Sequence, residues 1–109
     1  MQILSPDMLT NGILGVNSEI TLDASTTDVA YPIPGRLNAL TWQAYIDGSG
    51  SYEVQATCNK PATVQGGSAK WFSIGGTRNA SAQVTIPARV TYIRFIRNSG
   101  TILVAFYAA

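Results

Sequence analysis

Apolar and polar residues alternate along most of this chain with a period of two. Every second residue of Glu19-Ile20-Thr21-Leu22-Asp23 is apolar. Tyr52, Val54, Ala56 and Cys58 interleave with Ser51, Glu53, Gln55 and Thr57, and Ala82, Val84 and Ile86 interleave with Ser81, Gln83 and Thr85. Successive side chains of a strand point to opposite faces, so this pattern predicts half-buried strands with one dry face and one wet face. Leu40, Trp42, Ala44 and Ile46 form a further apolar stripe, which puts Trp42 in the core. Cys58 closes its run and is expected to be a small buried side chain. Apolar spacing at i, i+3, i+4 and i+7 is not sustained anywhere, and runs of strong helix formers are few.

Turn residues divide the pattern into short pieces. Asp47-Gly48-Ser49-Gly50 separates residues 37–46 from residues 51–58 and reads as a hairpin turn. Asn98-Ser99-Gly100 separates residues 90–97 from 101–107 and reads as a second one, with Gly100 free to take a left-handed backbone. Pro32, Pro34 and Gly35 break the chain earlier. Pro61 and Gly66-Gly67 bound a loop before an expected strand at 69–74, which Gly75-Gly76 ends, and Pro87 interrupts before the final hairpin. About seven or eight short strands with turns every 8–12 residues predict an all-β fold, a two-layer antiparallel β-sandwich of jelly-roll type. Residues 18–109 form the sandwich in this reading, and residues 1–17 an N-terminal arm or edge segment.

Two regions depart from the alternation. The N-terminal segment carries Ile3, Leu4, Met8, Leu9, Ile13 and Leu14 in clusters, spaced by Pro6 and Gly12. It is too apolar for a free tail and too irregular for a strand, which leaves two readings: an edge lying on its own domain, or an arm packing on a neighbouring subunit. The final hairpin is apolar on both faces, with Val90, Tyr92 and Ile96 beside Arg94 on one side and Ile93 and Phe95 beside Arg97 on the other. Strands apolar on both faces are buried on both faces. A cover is therefore expected, either the N-terminal segment or another molecule. The candidate interface residues are Ile3, Leu4, Met8, Leu9, Ile13 and Leu14 in the arm, together with Trp71, Phe95, Arg97 and Tyr107.

Composition narrows the function classes. The chain has 109 residues, enough for one domain with a real core, and 46% of them are hydrophobic. Charged residues make up only 12%, so the wet surface is built from Ser, Thr, Asn and Gln. The net charge is +1 and the basic residues are scattered, without the stripe of Lys and Arg that neutralises phosphates, so no nucleic-acid partner is expected. The single cysteine leaves no intramolecular disulfide and no zinc ribbon. Histidine is absent, which removes the commonest general base and the usual triads and metal sites. The six acids are scattered; Asp47 is accounted for by its turn and Glu53 by a wet strand face, and Asp47-Gly48-Ser49-Gly50 has too few carboxylates for calcium. No catalytic residue, cofactor or metal is expected, and the protein is not expected to be an enzyme. Met1 opens the sequence without a secretory leader, and no apolar run nears the ~20 residues of a membrane helix. Synthesis in a reducing cytoplasm and no membrane partner are the corresponding expectations. Among the aromatics, Tyr45 and Trp71 are candidates for stacking on sugar rings. Trp71 and Phe72 are adjacent, so one of them must point outward.

From Glu19 onward the layout resembles the small β-sandwich decoration or cement proteins of tailed bacteriophages. The resemblance is carried by Ile20-Thr21-Leu22-Asp23-Ala24 with its Ser25-Thr26-Thr27 connection, by Leu40-Thr41-Trp42, by Gly50-Ser51-Tyr52-Glu53-Val54-Gln55, by Val84-Thr85-Ile86-Pro87-Ala88-Arg89-Val90, and by the closing stretch from Tyr92 to Thr101. It is one of style and spacing over most of the chain, without a signature motif. It implies a virion protein on the capsid surface, made in the bacterial host cytoplasm, whose partners are the major capsid protein and further copies of itself, often as a trimer. The alternative is a carbohydrate-binding or host-recognition module of tail-fibre or spike type.

Overall fold

The apolar stripes on either side of Asp47–Gly50 belong to one strand. The computed structural model describes residues 2–3, 10–11, 16–33, 39–86 and 90–108. In chain order these form β1 (Gln2–Ile3), β2 (Thr10–Asn11), β3 (Val16–Leu22), β4 (Asp28–Pro32), β5 (Leu40–Thr57), the one-turn helix α1 (Pro61–Gln65), β6 (Phe72–Arg78), β7 (Ala82–Ile86) and β8 (Tyr92–Ala108). The two sites expected to be hairpin turns are both interior to long strands. β5 and β8 pair antiparallel from Leu40 opposite Ala108 to Thr57 opposite Tyr92, and the two glycine-rich sites face each other midway. Asp47 lies opposite Thr101 and Ser51 opposite Ser99, so residues 48–50 of β5 stand against Gly100 alone. What the local sequence signals is a break in regularity, and a glycine at positive φ serves a bulge as well as a turn. The partner strand decides between them.

At this double bulge both strands bend, and the sheet folds over on itself. The first layer contains β7, the first half of β5, the second half of β8, β3 and β2; the second contains β6, the second half of β5, the first half of β8, β4 and β1. All described pairings are antiparallel except that of β1 with β4. The fold-over is visible in the rings. Phe95 and Phe106 would stand about 36 Å apart on a straight strand, yet their centroids lie 6.5 Å apart. Tyr31 of the second layer meets Phe106 of the first at 4.7 Å, and Trp42 of the first meets Tyr52 and Phe95 of the second at 6.2 and 6.4 Å. These edge-to-face and stacked contacts, with Leu22, Val29, Leu40, Val54, Ile93 and Ile102, make one core between the layers. Trp42 is fully buried there, as the alternation predicts. The architecture is the expected all-β sandwich of two layers, open at its edges.

The crease crosses every long ribbon and is stitched by polar contacts. Between β3 and β4, the Asp23 carboxylate accepts N–H bonds from Ser25 at 2.8 Å and Thr26 at 3.0 Å. Between β6 and β7, the Ser81 hydroxyl accepts the Ile46 N–H at 2.9 Å, and the Tyr52 hydroxyl donates to the Ala80 carbonyl at 3.1 Å. Arg97 Nε donates to the Gly100 carbonyl at 2.5 Å, which closes the bend of β8. Backbones approach so closely here that a Cβ on Gly50 would sit 2.5 Å from the Ser99 carbonyl oxygen.

The bend also resets the alternation. On β5 the buried set is even-numbered on both sides, Leu40, Trp42 and Ala44 and then Tyr52 and Val54. On β8 it is Ile93 and Phe95 before the bend and Ile102, Val104 and Phe106 after it. Asn98 is an extra residue, because Ser99 faces Ser51 while Arg97 faces Tyr52. One extra residue exchanges the faces of a strand. Phe95, a candidate for the outer interface, is therefore a core residue with no exposed surface. Two further expectations are corrected. Gly75 and Gly76 do not end a strand; they form a bulge at positive φ inside β6. Pro61 to Gly66 is a helical turn and not a loop: proline's fixed φ suits the first helical position, and Gly66 caps the end.

Three outcomes follow from this packing. Phe106→Ala, at a site 2% exposed, is expected to destabilise the protein by about 3–5 kcal/mol in urea unfolding. Gly100→Ala forces a positive φ and a collision with the Ser49 carbonyl, whereas Gly67→Ala has the same strain with open space around it; the first is expected to lower the unfolding midpoint clearly more than the second. The Thr26 and Ser25 N–H groups hold the Asp23 carboxyl below its ordinary value, with Arg97 adding to the effect. A carboxyl lowered on folding stabilises fully above its unfolded pKa and loses that contribution as pH falls through the folded one. The stability difference between the wild type and Asp23→Ala is thus expected to be constant near neutrality and to shrink on acidification below about pH 4.

Candidate functional site

The two layers differ in what covers their outer faces. Over the second layer, Ala30 and Tyr92 are buried beneath Val64 of α1, with Ala69 and Trp71 packed against them. Gln65 Nε2 donates to the Tyr92 hydroxyl at 3.0 Å. At Tyr92 the apolar outer face of the start of β8 is thus covered by the chain's own 61–71 segment. Trp71 belongs to this cover. The Arg94 guanidinium lies 4.2 Å from its ring centroid and is itself held by Gln55 Oε1, which accepts from Arg94 Nε at 3.0 Å and from Nη2. Burial lowers the Arg94 pKa, opposed by the nearby charges of Asp28 and Glu53. A ring face carrying a guanidinium is a packing surface, so Trp71 is not an open platform.

None of the described residues covers the outer face of the first layer. Its side chains stand in rows fixed by the strand register. One row runs Thr85, Thr41, Tyr107, Asn17. The next runs Gln83, Gln43, Ala105, Glu19. The third sets Tyr45 beside Leu103 and Thr21. Tyr45 is 58% exposed, Tyr107 51% and Leu103 43%. The small Ala105 leaves a trough between them. Two hollows of about 230 and 480 Å³ share Glu19, Gln43 and Ala105, one reaching Tyr107 and the other Tyr45 and Leu103. The rows are braced internally: the Thr41 and Thr85 hydroxyls are 2.7 Å apart, and Gln83 Nε2 donates to Gln43 Oε1 at 3.4 Å.

A second surface feature is apolar. A cleft of about 460 Å³ is lined by Ala56, Cys58, Phe72, Ile74, Ile86 and Val90 among others. Phe72 stands at it, 72% exposed, and is the outward member of the Trp71-Phe72 pair. Cys58 is exposed and not in the core, because β5 ends at Thr57. There the chain turns away: the Thr57 hydroxyl bonds Asn59, and the Thr91 N–H bonds the Thr57 carbonyl.

The remaining candidates disperse. Arg97 braces the bend and Phe95 fills the core, while Tyr107 reaches the open trough. Ile3 lies in β1, whose backbone pairs with β4. Leu4, Met8, Leu9, Ile13 and Leu14 lie outside the described residues. Tyr107, a candidate interface residue, and Tyr45, a candidate sugar platform, are both exposed; of the adjacent pair the sequence reading selects Trp71 where Phe72 is the outward ring, and it does not single out the amide row of Gln43 and Gln83. The outward positions of the alternating runs carry the signal for those amides, but which runs lie side by side is not written locally. Among the described residues, no group of three or more His, Cys, Asp or Glu side chains is arranged to hold a metal, and no helix is long and apolar enough to cross a membrane.

No known family and no curated protein matches the sequence. Solved structures match in shape. The SPBc2 prophage-derived protein YomS aligns with 91% of this chain and 97% of its own, at a TM-score of 0.59 and 12% identity. PliG, a periplasmic inhibitor of g-type lysozyme from Aeromonas hydrophila, aligns with 99% of this chain and 93% of its own, at a TM-score of 0.50 and 9% identity. At these identities the likeness is one of fold, and the chain shares its all-β architecture with a prophage-derived protein over nearly the whole of both.

Proposed function

We propose that this chain is a non-enzymatic structural protein of a bacteriophage particle, a decoration or cement protein on the capsid surface that attaches through the apolar cleft around Phe72. The exposed Phe72 ring carries the reading. A large aromatic left in water beside an apolar hollow is a liability for an isolated protein and an anchor for a docked one. Apart from Thr57 and Ser73 the lining is apolar, as the buried centre of a protein–protein contact largely is. The fold shared with a prophage-derived protein supports the same setting.

A cement protein works by repetition. Copies seated at equivalent positions of a lattice add weak contacts into a strong hold, so one anchor per copy suffices. The low charge and the amide- and hydroxyl-rich surface suit dense packing beside other copies. In this role the partners are the major capsid protein and further copies of the chain, as a trimer, and no cofactor or nucleic acid takes part.

Gradient-purified phage particles from cells expressing the chain are expected to carry it on their heads, detected by immunogold labelling. Phe72→Ser, at a surface position expected to change stability by no more than about 0.5 kcal/mol, is expected to reduce the particle-bound fraction at least tenfold. Protein found entirely at the top of the gradient, or a variant that still binds as the wild type does, would overturn the proposal.

A further inference from the structure

The open face of the first layer has the reverse of the anatomy of a protein-docking patch. Protein contacts place apolar side chains at the centre and polar ones at the rim. Here the central row is Gln83, Gln43, Ala105 and Glu19, and the exposed rings of Tyr45 and Tyr107 stand at opposite ends of the trough. The centre would stay wet or need hydrogen-bond partners at every step, which a flat apolar partner does not supply.

Charge narrows the occupant further. Among the described residues lining the trough, Glu19 is the one charged group. A polyanion such as nucleic acid or an acidic polysaccharide needs cations and meets a carboxylate instead. What remains is an uncharged ligand rich in hydroxyl groups, with flat C–H faces for the two rings. We propose that this trough binds a neutral oligosaccharide, with Tyr45 and Tyr107 as stacking platforms and Gln43, Gln83 and Glu19 as hydrogen-bond partners between them.

The amides are prepared for this. Gln43 Oε1 accepts from Gln83 Nε2. This orients the Gln43 amide NH₂ to donate and leaves Gln83 Oε1 to accept, so adjacent amides offer a donor and an acceptor to one sugar. Ala105 keeps the floor low enough for a ring to lie against the sheet. Tyr45 stands opposite Leu103, and Tyr107 lies four residues further along the same strand, which spaces the platforms by about 14 Å. That distance suits a chain of several sugars and not a monosaccharide. The inference rests on the open face alone and is independent of attachment through Phe72.

The test is an array of immobilised neutral oligosaccharides (glucans, mannans, galactans and N-acetylhexosamine chains) beside uronic- and sialic-acid glycans, probed with the purified full chain. Affinities for hits are measured by calorimetry. At least one neutral series is expected to bind, more tightly as the chain lengthens from one to four sugars. Tyr107→Ala and Gln43→Ala are each expected to weaken binding at least fivefold while leaving the urea midpoint within the range of surface variants. Phe72→Ser is expected to leave glycan binding unchanged, which separates this site from the particle contact. Absence of any neutral ligand, a preference for acidic glycans, binding unaffected by Tyr45→Ala and Tyr107→Ala together, or loss of particle attachment in Tyr107→Ala would each overturn the proposal.

Discussion

Everything in this protein hangs on the antiparallel pairing of β5 and β8. These two strands run beside each other from end to end, and each remaining described strand except the edge pieces β1 and β2 pairs with one or the other. Residues far apart in the sequence must meet before this pairing forms, so its entropy must be met before its hydrogen bonds stabilise anything. The compensation is the core. Bending the ribbon at Gly48–Gly50 and Gly100 brings Trp42, Tyr52, Phe95 and Phe106 into a single cluster that a flat sheet would leave on its surface. The glycines serve this geometry directly. At Gly50 and Gly100 there is no room for a side chain, and a positive φ at Gly48 and Gly100 gives the turn of backbone that the bend requires.

A folded-over ribbon has two outer faces, and this chain treats them differently. The excursion between β5 and β6 carries Val64, Ala69 and Trp71 over the second layer, where Tyr92 and Ala30 are sealed from water and Arg94 is fixed between Trp71 and Gln55. The first layer receives no such cover from the described residues. Most of its outward positions are Thr, Gln, Glu, Asn and Tyr, residues that tolerate water and also bond to a ligand, with Ala105 and Leu103 among them. The asymmetry divides the labour. One layer carries a tightly packed cover with an apolar cleft beside it, and the other presents a broad, rigid, polar surface whose shape is set by strand register and not by loops. A site on paired strands is held more precisely than one on loops.

The misplacements are instructive because each has a physical cause. Asp47–Gly50 and Asn98–Gly100 carry the signature of a tight turn, but a bulge in a long strand uses the same residues for the same dihedral reasons. Nothing within ten residues of either site separates the two outcomes. Alternation counted from a fixed phase puts Phe95 outside, and the one extra residue at Asn98 shifts that phase. Cys58 fits its stripe by parity and falls outside because the strand stops one residue earlier. Adjacency puts Trp71 and Phe72 on opposite sides, and Trp71 is the covered one because Tyr92, Ala30 and Arg94, from other strands, pack against it.

The sequence by itself determined the all-β class, the inward residues of most runs, the burial of Trp42 and the places where the chain departs from regularity. These are local properties, set by the period of two and by the dihedral freedom of glycine. Tertiary structure alone decided whether those departures became turns or a shared bend, which face of β8 is inward on each side of it, and which outer face is covered. Each of these depends on which strand lies opposite which. That is fixed by contacts between residues tens of positions apart, where the sequence carries no periodic trace.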